Sequence, residues 1–350
     1  IDCIIISPGI DIKKCKLKNF LKKNYDKIHT DLDVFYYYYK KNKNITITGT
    51  NGKSTTVKII YEVLKCQKID ARLVGNIGNP ILSEKKITPK TVFVIEASSY
   101  QLEYSKIFKS HLAAILNISP DHLERHGSIR NYIKAKFKLI KTQTKKDFTF
   151  LNTNNLFIKR YLSGQRILSK IIKINKTVQS KVLKKIDNSN FLSDGNKENL
   201  SFVFEIAKKM KISKNNLFKV LQKFNGLDFR QQVIFKSKNL IIINDSKATS
   251  FSSTVSILRS ITNVYWIVGG QAKKGDKFLL NKSECKNMEA YIFGKNKKFF
   301  INKLKKKINY QLFDDLKSSI KKVLIDIKKN NKKQKKHIIL FSPAAASFDS

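Results

Sequence analysis

Short apolar runs rich in β-branched residues alternate with amphipathic stretches along most of the chain. That alternation is the pattern of a mostly parallel sheet with helices packed on its faces. A strand is predicted over 45–48, then a helix from Ser54 with apolar positions at Val57, Ile60, Val63 and Leu64. Strands over 71–74, 91–95 and 111–117 follow, with a helix over 128–141 whose stripe is Ile129, Ile133, Phe137 and Ile140. Residues 151–198 are rich in Asn and Lys, hold only short β-like runs and are the least legible part. Helices are expected over 199–210 and 213–224, and Gly226 marks a boundary. Beyond it a second alternation runs through strand 240–243, helix 251–260, strands 264–268 and 290–293, helices 297–307 and 315–329, and strand 338–341. Ahead of Asn44 lie an apolar strand over 3–6, the turn Ser7-Pro8-Gly9-Ile10, a Lys-rich helix-like stretch and an apolar patch over 34–39. This is too little for a domain of its own. With Ile at position 1, it reads as the end of a truncated domain plus a linker, followed by domains over 44–225 and 226–350.

Charge changes this picture less than its size suggests. The formal charge is +44, yet only seven of the 70 basic residues are Arg, and Lys is spread over the whole length among Asn and Ile. Nucleic-acid readers concentrate Arg and aromatic residues on one surface, so the excess reads as compositional drift onto solvated faces rather than a specific nucleic-acid site. No apolar run approaches the roughly 20 residues of a membrane span, and no signal peptide is visible, so a cytoplasmic location is expected. Cys3, Cys15, Cys66 and Cys285 have neither CxxC spacing nor His companions and read as reduced thiols.

The chemistry starts at residues 48–56, TGTNGKSTT, directly behind the first strand of the alternation. Gly49 and Gly52 allow several N–H groups to face one concavity at a helix N-terminus, which suits a phosphate. Lys53 adds a mobile cation for the outer phosphates and Ser54 a hydroxyl for Mg²⁺. Ile47 stands where a Walker A loop has its first glycine, so the spacing differs from that motif. A Gly-rich turn with a chance Lys-Ser is the plainer alternative, and the strand-loop-helix context argues against it. Glu96, and Asn117 with Pro120-Asp121-His122, come to the ends of later strands, the edge where ligands bind in an open parallel sheet. Alone, Glu96 would be a helix-capping carboxylate and His122 a surface histidine.

Taken together, TGTNGKST, Glu96 in VIEASSYQLE, NISPDH over 117–122 and YIKAK over 132–136 resemble the ATP-dependent Mur ligases of peptidoglycan precursor synthesis. Asn244-Asp245-Ser246-Lys247-Ala248-Thr249, with Ser7-Pro8-Gly9-Ile10 and residues 342–349, resembles the D-glutamate-adding branch of that family. The resemblance implies an α/β protein: a parallel-sheet P-loop-type central ATPase domain, a C-terminal Rossmann-like domain that binds D-glutamate, and most of an N-terminal UDP-binding domain missing before Ile1. It implies ATP and two Mg²⁺ ions, UDP-N-acetylmuramoyl-L-alanine and D-glutamate as substrates, an acyl-phosphate intermediate and a monomer. Gly49, Thr50, Asn51, Gly52, Lys53, Ser54, Thr55, Asn199, Arg230, Asp245 and Lys247 match ATP positions. Ser54, Glu96, His122 and a carbamylated Lys136 match metal ligands, with Lys53, His122 and Lys136 catalytic. Ser7, Pro8, Gly9, Asn76, Ser98, Gln101, Thr249, Lys273, Ser347 and Phe348 match substrate contacts, Lys273 competing with Lys274. Gly195 and Phe229 replace the histidines expected before Asn196 and Arg230, and Phe348 replaces a leucine. The alternatives are a folylpolyglutamate synthase-like ligase, which shares the loop, and a basic nucleic-acid-binding protein, which rests on charge alone.

Overall fold

The computed structural model describes the chain except residues 179, 192, 273–275, 331–335 and 346–350. It divides into two compact units, residues 1–186 with 198–223, and residues 187–197 with 224–350.

The first unit opens with a two-stranded parallel ribbon, β1 (Ile4–Ile5) and β2 (Ile28–His29). Its main sheet contains β3 (Asn44–Thr48), β4 (Ala71–Gly75), β5 (Val92–Glu96), β6 (Leu112–Ile115), β7 (Phe148–Asn152) and β8 (Lys170–Ile174). All pairings are parallel, in the order β4-β5-β3-β6-β7-β8. Every residue of β3 and β5 is buried, as expected of strands covered on both faces. Because β3 lies between β5 and β6, the chain leaves all three strands at adjoining points on one edge. Ile47 registers with Glu96, and Thr48 with Ile115. This is the topological switch point, where diverging connections open a crevice.

Two helices define that crevice. Lys53–Cys66 follows β3 and buries Val57, Ile60, Val63 and Leu64, the face its spacing predicts. Ile129–Lys141 is capped by Ser128, whose hydroxyl accepts the Asn131 N–H at 3.2 Å, and it buries Ile133, Phe137 and Ile140 together with Lys136. Residues 34–39 belong to the helix Asp31–Tyr39. Its buried Asp33 carboxylate accepts N–H groups from Lys106, Ile107 and Phe108, each at 3.0 Å, and the Ser105 hydroxyl at 2.8 Å. One carboxylate thereby satisfies the turn and ties residues 30–33 to residues 105–108.

The second unit holds β9 (Gln232–Lys236), β10 (Leu240–Asn244), β11 (Val264–Gly269), β12 (Met288–Phe293), β13 (Asn309–Phe313) and β14 (His337–Phe341). The order is β13-β12-β11-β14-β10-β9, parallel except for β9, which pairs antiparallel with β10 through a bulge. Neither β9 nor β13 is evident in the sequence. Both are edge strands, and β9 leaves Ile234 and Phe235 exposed. The core on one face gathers around Trp266, Phe251 and Phe300.

Asp33→Ala would strand the buried Phe108 N–H and Ser105 hydroxyl and the part-buried N–H groups of Lys106 and Ile107, so a loss of about 3 kcal/mol is expected. Urea unfolding checks this. A loss below about 1 kcal/mol would mean that the turn finds other partners.

Candidate active site

In the loop between β3 and the helix Lys53–Cys66, Gly52 sits at φ +85°, and a Cβ there would lie 2.1 Å from Asn199 Oδ1. Glycine is required both by the left-handed backbone and by the close approach of Asn199. Asn117, just beyond β6, fastens the loop from the other side. Its carboxamide accepts the Asn51 N–H at 2.9 Å and donates to the Asn51 carbonyl at 3.2 Å, while the Thr50 N–H donates to the Asn117 carbonyl. The Thr50 hydroxyl meets the Tyr132 hydroxyl at 3.2 Å. Ser54 is buried and Thr55 half-buried in the first turn of the helix. Lys53 Nζ donates to the carbonyls of Gly49 at 3.0 Å and Thr50 at 2.9 Å.

Lys136 approaches the same loop from the helix Ile129–Lys141. Its amine is sealed from solvent, donates to the Gly49 carbonyl at 2.8 Å and lies 4.6 Å from the centre of the Tyr132 ring. Burial, and then the neighbouring Lys53 cation, hold its pKa well below the ordinary lysine value.

Glu96 ends β5 with its carboxylate buried. Oε1 accepts from Asn76 Nδ2 at 2.8 Å, whereas Oε2 has no hydrogen-bond partner among the described residues. The Asn76 N–H also donates to the Glu96 carbonyl at 2.9 Å. Gly75 permits this approach, since a Cβ there would sit 2.4 Å from that oxygen. His122 lies seven residues beyond β6, in a left-handed conformation at the start of the short helix Leu123–His126. Its Nδ1 shares a hydrogen bond with the Tyr100 hydroxyl at 2.9 Å, and Asp121 Oδ2 stands 3.5 Å from its Nε2. Behind it, His126 is buried and bonded to Ser99. Burial, then Arg125 and His122, push its pKa down to about 4, so it is neutral.

Several of these groups, though not Glu96 or Ser54, line one cavity of about 610 Å³ within the first unit. Lys53, Lys136, His122, Asn76, Ser98, Gln101 and Pro8 all line it, together with Asp31, Tyr100 and Tyr132. Ser98 and Gln101 form a capping box for the helix Ser99–Tyr104, and Gln101 Nε2 donates to Asp31 Oδ2 at 2.9 Å. The Gln101 carboxamide is therefore held at both ends. Ser7 and Gly9 flank Pro8 but do not line the cavity. Among the described residues, no three His, Cys, Asp or Glu side chains form a metal-binding group.

In the second unit Asp245 follows β10 and is buried. Oδ2 accepts from Ser342 at 2.9 Å and Oδ1 from the Gln231 N–H at 3.1 Å. Burial pushes its pKa up to about 7 against the lowering effect of these bonds and of Arg230. Arg230 and Lys247 are exposed nearby in sequence, and the Lys247 N–H donates to the Phe229 carbonyl at 3.0 Å. Thr249 is half-buried ahead of the helix Phe251–Leu258. Lys273, Ser347 and Phe348 lie outside the described residues.

Residues 47–217 match the family described as Mur ligase middle domain. UDP-N-acetylmuramoylalanine–D-glutamate ligase of Rickettsia bellii is 31% identical over 370 residues, spanning 100% of this chain and 81% of its own length. The protein of that name from Francisella tularensis subsp. novicida is 36% identical over 355 residues, 99% of this chain and 81% of its own. The chain belongs to the Mur ligase family. Solved Mur ligases share its fold at low identity. MurF from Thermotoga maritima in complex with ADP superposes with a TM-score of 0.63 at 14% identity, covering 93% of this chain and 88% of that one. MurC from the same organism gives 0.58 at 16%, covering 99% and 82%.

For this Mur ligase the structure adds Asp31 and Tyr100 to the residues singled out in the sequence. Asp31 carries a faint local signal, the Thr30-x-x-Asp33 capping box around it. Tyr100 has none, because its relation to His122 exists only once β5 and β6 flank β3.

Asp245 yields a pH-dependent contribution with a defined sign. The folded state binds its proton more tightly than an ordinary carboxyl at 3.8 does, so its contribution to stability is full below that value and fades as pH rises through about 7. Asp245→Asn is expected to flatten that part of the stability profile in urea melts at about pH 5 and pH 8. An unchanged slope would assign the titration elsewhere.

Proposed function

We propose that this Mur ligase uses ATP to join D-glutamate to UDP-N-acetylmuramoyl-L-alanine, releasing ADP and phosphate in peptidoglycan precursor synthesis. The observation that carries the reading is the convergence of Lys53, Lys136 and His122 with Asn76, Ser98 and Gln101 on one cavity. The similarity to ligases of that name over 99–100% of this chain and 81% of theirs, and the NDSKAT string at 244–249, favour it over a folate-directed ligase. No described helix is long and apolar enough to cross a membrane, and action in the cytoplasm, where ATP is made available, fits this chemistry.

In this reading residues 44–225 hold ATP and residues 226–350 receive D-glutamate. The N–H groups of Gly49 to Thr55 and the positive end of the helix behind them meet the phosphates. Lys53 exchanges the Gly49 and Thr50 carbonyls for phosphate oxygens. Phosphoryl transfer to the acceptor carboxylate gives an acyl phosphate, the D-glutamate amine attacks its carbonyl carbon, and phosphate leaves as the amide forms. Each well-aimed positive group contributes about 3–4 kcal/mol to such a transfer. Asn76 and the doubly held Gln101 orient the acceptor, and Asn199 braces the loop at Gly52. Arg230 and Lys247 serve the nucleotide. Asp245, both of whose oxygens are already bonded, holds the Arg230-Gln231 turn in place. Thr249, Lys273, Ser347 and Phe348 are assigned to D-glutamate by resemblance.

The donor set fits Mg²⁺. The unpartnered Glu96 Oε2 and the Ser54 hydroxyl are oxygen ligands of the kind it takes one or two at a time, the rest of its shell being phosphate and water. Bound there, it would neutralise phosphate charge. Burial and the Lys53 cation lower the Lys136 pKa, which favours the unprotonated amine that adds CO₂; with loss of one proton the adduct would be an anionic oxygen ligand, and His122 completes the set.

Lys53→Ala is expected to reduce D-glutamate-dependent ADP release at least about 100-fold with an unchanged circular dichroism spectrum. Turnover near that of the wild type would remove the phosphate assignment. For Lys136, intact mass spectrometry in bicarbonate buffer is expected to show one added CO₂, absent from Lys136→Ala, whose activity no longer responds to bicarbonate. A native protein that never carries the adduct would contradict the carbamate.

A further inference from the structure

Arg125 has no place in the chemistry above, yet among the described residues its guanidinium is bonded at all three nitrogens. It lies in the short helix Leu123–His126 that begins at His122. Its side chain is 7% exposed. Nε donates to Glu103 Oε2 at 3.0 Å, Nη1 to the Gly9 carbonyl at 3.1 Å, and Nη2 to the Ile10 carbonyl at 2.6 Å, with the Pro8 carbonyl at 3.5 Å. Its guanidinium lies 5.1 Å from the centre of the Tyr100 ring and 5.7 Å from that of Tyr104. The Tyr100 hydroxyl in turn bonds His122 Nδ1.

Three consecutive carbonyls of the 7–10 turn thus face one planar cation. Such a turn, with the Ile10 N–H returning to the Ser7 carbonyl, would otherwise direct those oxygens to water. A guanidinium presents five donors in a fixed fork, and here each nitrogen has its own acceptor. An ammonium could satisfy one or two of them but not the spacing. The Lys14 ammonium adds a second tie, donating to the Glu124 carbonyl at 2.9 Å.

We propose that Arg125 is a positioning residue that locks the Ser7–Ile10 turn to the helix carrying His122, setting the Pro8 wall of the cavity in register with that histidine. The ligand that depends on this register is the acceptor, an anionic sugar nucleotide bearing a free carboxylate, because Pro8, Asn76, Gln101 and His122 line the same cavity. The ATP loop is fastened independently, by Asn117 and Asn199, and does not pass through Arg125. The acceptor assignment rests on the proposed ligase activity, whereas the clasp itself rests on geometry alone.

The test compares wild type, Arg125→Lys and Glu103→Gln as full chains. Hydrogen–deuterium exchange of the peptide spanning residues 6–12 reads the clasp directly, and steady-state ADP release reads its consequence. Arg125→Lys is expected to speed exchange in that peptide at least about tenfold. It is also expected to raise the KM for UDP-N-acetylmuramoyl-L-alanine about tenfold or more, leaving the KM for ATP within about twofold. Glu103→Gln, which keeps the arginine but removes its counter-charge, is expected to move both readouts the same way by a smaller factor. Unchanged exchange in both variants overturns the clasp. Faster exchange with equal rises in both KM values overturns the acceptor-specific role, as does a fall in kcat alone. If Arg125→Lys fails to fold, Glu103→Gln decides by the same criteria. A wild type without D-glutamate-dependent ADP release, but with exchange that Arg125→Lys accelerates, would sink the ligase reading while leaving the clasp intact.

Discussion

An amine removed from water, bonded to a carbonyl and set against an aromatic face, is the constraint around which the first unit is arranged. Lys136 is held between the Gly49 carbonyl and the Tyr132 ring, with the Lys53 cation near enough to disfavour a second positive charge. Burial disfavours the charged form and Lys53 adds to that, against the pull of Asp121 and Glu96, so the Lys136 pKa lies well below that of an ordinary lysine. Its position is fixed by the Ile129–Lys141 helix, whose other buried residues pack into the core with β5 and β6. The reactive group is therefore as rigid as the core itself.

Rigidity on one side is matched by adaptability on the other. Lys53 is bonded to the Gly49 and Thr50 carbonyls of the loop, interactions it can trade for phosphate oxygens. Glu96 keeps one oxygen bonded to Asn76 and the other unpartnered. The site thus joins fully satisfied positioning contacts, such as Gln101 between Ser98 and Asp31, to groups left short of a partner, and the second kind marks where ligands act.

Much of this is legible in the sequence because it is local. The two glycines, Lys53 and Ser54 declare the loop within nine residues, and the helix faces follow from spacing. The pairing of Glu96 with Asn76 and the Tyr100–His122 bond are not legible, since both depend on strand order across the sheet. Residues 151–198 resist reading because Lys and Asn occupy positions where a strand would show alternation. β8 reads Lys-Ile-Ile-Lys-Ile and buries only its last residue. β9 and β13 escape notice because edge strands carry half the burial that makes a strand visible.

The exposed margin of the second unit has a bearing on how the protein behaves in a tube. β9 offers an unpaired row of backbone groups beside two solvent-facing apolar side chains, a template for strand addition by a neighbour. What keeps neighbours apart is the dispersed lysine excess, whose long-range repulsion acts between whole molecules. Concentrated electrolyte shortens the reach of that repulsion to a few ångströms. The protein's colloidal stability is therefore borrowed from dilute buffer, and the same lysines that obscure the fold in the sequence keep its unguarded border from being used.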